Sequence, residues 1–67
     1  MTLELTYQRR VVDEREELSE KIVKLAKFFD TQVYQSLPVA EQDRMLRQLT
    51  HMNDYRDVLD ERIAAFT

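Results

Sequence analysis

The chain contains no cysteine, no glycine and no tryptophan, and only one proline. Without cysteine there is neither a disulfide nor a thiolate metal site. A single histidine makes an imidazole metal site unsupported as well. Without glycine there is no phosphate-cradling loop, no dinucleotide fingerprint and no nucleophile elbow, because those turns need backbone angles that glycine alone adopts easily. Tight Asn-Gly and Asp-Gly hairpins are missing too. No apolar run approaches the ~18 residues of a membrane span, and the N-terminal stretch lacks a signal peptide's apolar core. The net charge of −3 argues against general affinity for DNA or RNA backbones.

What remains is a charged, helix-favouring chain of 67 residues, with 34% charged and 43% hydrophobic residues. Leu, Glu and Arg are the commonest residues, a composition suited to helices. A chain this short buries little by itself, so with disulfides and metals excluded it relies on helix packing and self-association. The expectation is a single all-α domain over residues 1–67, soluble and intracellular, with no cofactor.

Pro38 marks the break. It follows the least helical stretch, Asp30 to Leu37, and proline disfavours helix in the residue before it while suiting a helix's first turn. The sequence therefore predicts a helical hairpin: one helix from about Leu3 to Phe29, a connector to Leu37, and a second helix from Pro38 to about Phe66. Asp30 is the expected cap of a short extra turn through Tyr34. In the first helix, Val11, Leu18, Ile22, Leu25 and Phe29 share one face. In the second, Met45, Leu49, Met52, Leu59, Ile63 and Phe66 form a stripe, widened by Leu46, Tyr55 and Val58. Tyr55, Val58, Phe28, Val12, Leu3 and Leu5 exceed what a two-helix core needs. Burial of these against another copy is the expected use, giving an oligomeric helical bundle.

The acid-rich run from Asp13 to Glu20 does not read as a catalytic pair. Lys and Arg alternate with the acids at helical spacing, as in Glu17–Lys21 and Glu20–Lys24, so i,i+4 pairing on a solvated face accounts for it. His51, off the central stripe, reads as a surface histidine rather than a ligand or base. Met45 and Met52 read as core filler. No enzyme is expected, and no catalytic or metal-binding residue is assigned.

Tyr7, Arg10, Glu14, Glu17, Lys21 and Lys24 share a heptad-related stripe. Tyrosine offers a stacking face, and lysine and arginine offer cations for phosphate. Tyr7 and Lys21 are fourteen residues apart, roughly 21 Å along a helix, and cannot grip one small ligand from the same chain. Two antiparallel copies would bring Tyr7 of one toward Lys21 of the other, twice over, in an isologous dimer. A plain solvated face remains the alternative reading of the stripe.

The strings Tyr7-Gln8-Arg9-Arg10-Val11-Val12-Asp13-Glu14 and Glu17-Leu18-Ser19-Glu20-Lys21-Ile22-Val23-Lys24-Leu25, then Phe28-Phe29, carry a resemblance that spans nearly the whole chain. So do Ser36-Leu37-Pro38, Glu41-Gln42, Leu46, Gln48, Met52, Tyr55, Val58-Leu59 and Arg62-Ile63-Ala64-Ala65-Phe66. The chain resembles small phage proteins of the crAss-like phage family, similar to the anti-CBASS cyclic-oligonucleotide sponge. The resemblance implies a non-catalytic helical protein that assembles as a dimer-based hexamer in the host cytoplasm. Such a protein sequesters cyclic nucleotide second messengers, keeping immune effectors off. By the same resemblance Tyr7 stacks on bases and Lys21 contacts phosphate, with Arg10 and Lys24 as neighbours inferred from the stripe. Arg62 matches an arginine of a second pocket, for cyclic trinucleotides, although Val23 stands where a polar contact for that pocket is expected.

Two further readings stand beside the sponge. One is a structural or adaptor protein that binds another protein through exposed helix faces. The other is a nucleic-acid-binding hairpin using Arg9, Arg10, Lys21, Lys24 and Lys27, which the negative net charge disfavours.

Overall fold

The computed structural model describes residues 3–66, with side chains described from Thr6 onward, so the expectations for Leu3 and Leu5 as extra apolar positions lie outside the described side chains. Two helices of 26 residues, α1 (Leu3–Phe28) and α3 (Val39–Ala64), run antiparallel; α2 (Gln32–Ser36) forms a single turn between them. Neither long helix contains glycine or proline, so nothing within them interrupts the hydrogen-bond ladder. The described chain is all α, as the periodicity predicts, with helix bounds differing from expectation by one or two residues.

Helix α1 ends by tightening: Phe29, Asp30 and Thr31 donate to carbonyls three residues back, at Ala26, Lys27 and Phe28. The cap of α2 is then Thr31, not Asp30 as expected. Thr31 has the extended backbone of an N-cap, and its hydroxyl accepts from the Tyr34 N–H at 3.2 Å while donating to the Phe28 carbonyl at 2.6 Å. The extra tightened residue moves the capping position one step along the chain. One hydroxyl thereby ties the end of α1 to the start of α2.

The exit from α2 is sealed from α3. Gln42 Nε2 donates to the Tyr34 carbonyl at 2.9 Å and reaches those of Gln35 and Leu37 at 3.3 Å. The Tyr34 ring meets Phe29 at 4.6 Å and Phe28 edge-on at 6.2 Å, closing the hairpin tip with aromatic surface. Pro38 sits at the N-cap of α3 rather than inside its first turn; its carbonyl accepts from the N–H groups of Glu41 and Gln42.

The core is thin. Val11, Leu18, Ile22 and Leu59 are buried, with Leu49, Met52, Ile63 and Phe66 packed around them. Leu59 is the pivot, with 0% of its surface exposed. Burying one such side chain is worth about 1.5–3 kcal/mol. Val12 and Phe28 are half-buried, whereas Tyr55, Val58 and Leu46 are exposed.

The charged run holds one exception to the solvated-face reading. Arg15 Nε donates to Asp60 Oδ1 at 2.7 Å, joining α1 to α3 and fixing their register. That hydrogen bond, then the guanidinium's charge, holds the Asp60 carboxyl below the usual carboxylate range, and Asp60 in turn raises Arg15. The expected Glu17–Lys21 and Glu20–Lys24 pairs do not form among the described residues. Arg9–Asp13 at 3.5 Å is the i,i+4 pair that does, and Arg44–Glu41 closes at 2.7 Å with i,i+3 spacing. Exposed pairs of this kind gain little over hydration, so long side chains on a wet face readily stay apart.

Candidate functional site

The first turns of α1 and the last turn of α3 meet at the open end of the hairpin. There Arg62 Nη2 donates to the Tyr7 hydroxyl at 2.8 Å, and the guanidinium lies over the same ring, 5.5 Å from its centroid. Phe66 braces the ring from a further side at 6.0 Å with a 59° tilt. The antiparallel packing produces this meeting: Tyr7 flanks the Val11–Leu18 face of α1, and Arg62 flanks the Leu59–Ile63 face of α3.

Tyr7 remains 50% exposed. Its ring is thus held at its edge by a hydrogen bond and on one side by a cation, with surface left for a planar group. A guanidinium carries five N–H donors and Tyr7 takes one of them. Arg62 has no carboxylate partner among the described residues, so its remaining donors suit a phosphate or carboxylate oxygen. The corner combines a stacking surface with an anion-binding head.

The other sequence candidates fall elsewhere. Arg10 follows Tyr7 by one turn and is exposed. Lys21 and Lys24 are exposed on the same helix, roughly 21 Å and 26 Å along it from Tyr7 at 1.5 Å per residue. One chain therefore brings Tyr7 and Arg62 together, places Arg10 beside them, and leaves Lys21 and Lys24 remote. Tyr7 and Arg62, assigned by resemblance to two different pockets, share one corner of the same chain. Lys24 and Val23 help line a shallow hollow of about 360 Å³ with Ser19, Glu20 and Lys27. All five lie on α1, so the hollow has a single wall.

Sequence reasoning missed the direct Tyr7–Arg62 contact, the Arg15–Asp60 tie and the Gln42 seal. The signal for the first two was the register of the hairpin, which follows once a few facing residues are known. Among the described residues no group of three or more His, Cys, Asp or Glu side chains is placed to hold a metal ion, and no helix is long and apolar enough to cross a membrane.

Comparison with known proteins adds a family. The family model described as Sequestin matches residues 5–65. The chain is also 37% identical over 62 residues to a protein of Enterobacteria phage T4 described as "Uncharacterized 7.5 kDa protein in denB-rIIB intergenic region", covering 92% of this chain and 97% of that protein. No solved structure matches. The small-phage-protein part of the resemblance thus has a counterpart in a T4 protein, while no crAss-like phage figures in the comparisons. With the family model spanning nearly its whole length, the chain belongs to the Sequestin family.

Proposed function

We propose that this protein is a phage anti-defence sponge: it binds cyclic nucleotide second messengers, cyclic dinucleotides first and trinucleotides as a second class, and holds them without cleaving them. The host's immune effectors, deprived of their signal in the cytoplasm, stay off. The observation that carries this reading is the half-exposed Tyr7 ring clasped by an Arg62 that has no carboxylate partner among the described residues. A base stacks on the ring, and the guanidinium takes a phosphate oxygen. The family description, Sequestin, fits a protein that captures something rather than transforms it. Sequestration needs no nucleophile, base or metal.

A cyclic dinucleotide has two bases and two phosphates related by an approximate two-fold. Lys21 and Lys24 lie too far along α1 to reach a ligand seated on their own chain's Tyr7, so in this reading they serve a ligand shared between copies in a dimer-based assembly, with a hexamer as its larger form. Arg10 supplies a further cation beside Tyr7.

Calorimetry with a panel of cyclic di- and trinucleotides tests the proposal. The expected result is tight binding of at least one member, which heating then releases intact. Absence of binding across the panel, or recovery of cleaved ligand, overturns it. The adaptor reading draws on one specific observation, the exposed apolar residues Val23, Leu46, Tyr55 and Val58. It gains if the panel is silent and a defined protein partner covers those residues.

A further inference from the structure

The two ends of the hairpin are secured differently. At the tip, the Thr31 hydroxyl and the Gln42 side-chain amide hold the backbone on both sides of the break. At the open end, where Tyr7 meets Arg62, α3 finishes at Ala64 in a tightened turn. The Ala65 N–H is shared between the carbonyls of Glu61 and Arg62, at 3.1 and 3.2 Å. The Phe66 N–H reaches back three residues, to the Ile63 carbonyl at 3.1 Å. Helix ends of this kind open locally at little cost in free energy.

Phe66 therefore depends on its side chain to stay in place. It is half-buried against the cluster that contains Val11 and Leu59, and it meets the Tyr7 ring at 6.0 Å with a 59° tilt. Phe66 thus approaches Tyr7 from the core side. Arg62 and Phe66 are four residues apart, so they share one face of the turn but hold different parts of the ring. Arg62 bonds the hydroxyl oxygen, which lies on the axis about which a tyrosine ring turns. A bond at that point fixes where the tip of the ring sits and constrains its plane weakly, since this torsion has a broad minimum. Phe66 touches the ring away from that axis, and its contact opposes the rotation.

We infer that Phe66 is a positioning residue: it sets the plane of the Tyr7 ring for a stacking base, and occupation of the corner closes the last turn of α3. This rests on the cyclic nucleotide reading of the Tyr7–Arg62 corner and names the side chain that prepares it. A ligand that stacks on Tyr7 and bonds Arg62 takes the closed turn in preference to the open one. Its apparent affinity falls with the fraction of molecules in which the turn is closed, and its binding raises that fraction.

Calorimetry on the full chain with the panel of cyclic dinucleotides reads the outcome, with circular dichroism confirming that each variant is folded. F66A weakens binding about 2- to 12-fold, the range that one aromatic pair spans. F66Y keeps a ring at the position and binds near the parent level. In a Y7A background F66A costs nothing further, because Phe66 acts through Tyr7. Hydrogen exchange supplies a second readout: saturating the parent with a dinucleotide slows exchange at the Ala65 and Phe66 amides, and F66A speeds it in the free protein. A parent that binds while F66A binds equally well overturns the inference and leaves the sponge standing. So does an F66A loss of the same size with and without Tyr7, or a bound state in which the Ala65 and Phe66 amides exchange as fast as in the free one. A panel on which the parent binds nothing overturns the sponge, and the inference with it.

Discussion

The Arg62 guanidinium donates to the Tyr7 hydroxyl at 2.8 Å, joining two residues 55 apart in sequence across the open end of the hairpin. A ring fixed in this way loses less freedom when a flat ligand stacks on it. The contact also separates two roles of Tyr7, its surface and its anchor.

Tyr7→Ala removes both roles, and cyclic dinucleotide binding should weaken about 5- to 150-fold, the equivalent of about 1–3 kcal/mol of base stacking. Tyr7→Phe keeps the ring but frees it from Arg62, and a loss of about threefold is expected. Calorimetry on the two variants distinguishes them. Equal losses would show that the ring's surface is not what the ligand uses.

Leu59 has the least exposed side chain in a core with few buried members. Leu59→Ala should destabilise the fold by about 2–5 kcal/mol in urea denaturation. Leu46→Ala, on an exposed position, should change stability by less than about 0.5 kcal/mol.

The Arg15–Asp60 bond makes stability depend on pH with a definite sign. The folded carboxyl is held below its unfolded value by the hydrogen bond from Arg15. Its stabilising contribution is therefore complete above about pH 4, the unfolded value, and is lost as pH falls through the lower folded value. Arg15 stays charged throughout. Asp60→Asn should accordingly be less stable than the parent at pH 7, with the difference closing as pH falls through the lowered folded value. A difference that persists once the carboxyl is protonated would assign the effect to packing instead.

At the other end of the hairpin, Thr31→Ala removes the α2 cap and should cost about 1 kcal/mol. Hydrogen exchange should localise the change to the Tyr34 amide and its neighbours. Gln42→Ala should act on the same turn from the α3 side by uncovering the Tyr34 and Leu37 carbonyls.

Much of the hairpin was legible in the residues, because apolar spacing and one proline are local signals. Pro38 located the break, and Val11, Leu18, Ile22 and Leu59 lay on the expected faces. The Thr31 cap was not legible: Asp30 and Thr31 are both good caps, and the choice depends on how tightly α1 ends. Arg15 looked like its neighbours Glu14 and Glu16 until the facing helix supplied Asp60. In the candidate site, Tyr7 was legible as an unusual aromatic in a charged stripe. Its direct contact with Arg62 was not, since it follows from a register that neither helix encodes alone.

The molecule measures 51 × 15 × 14 Å, more than three times as long as it is wide. Such a rod tumbles anisotropically, and its scattering profile is governed by its length. Lateral pairing leaves the long dimension near 51 Å and thickens one short dimension, so the maximum intramolecular distance barely changes as mass doubles. End-to-end association would nearly double that distance, making small-angle scattering a direct report on how copies of this hairpin meet.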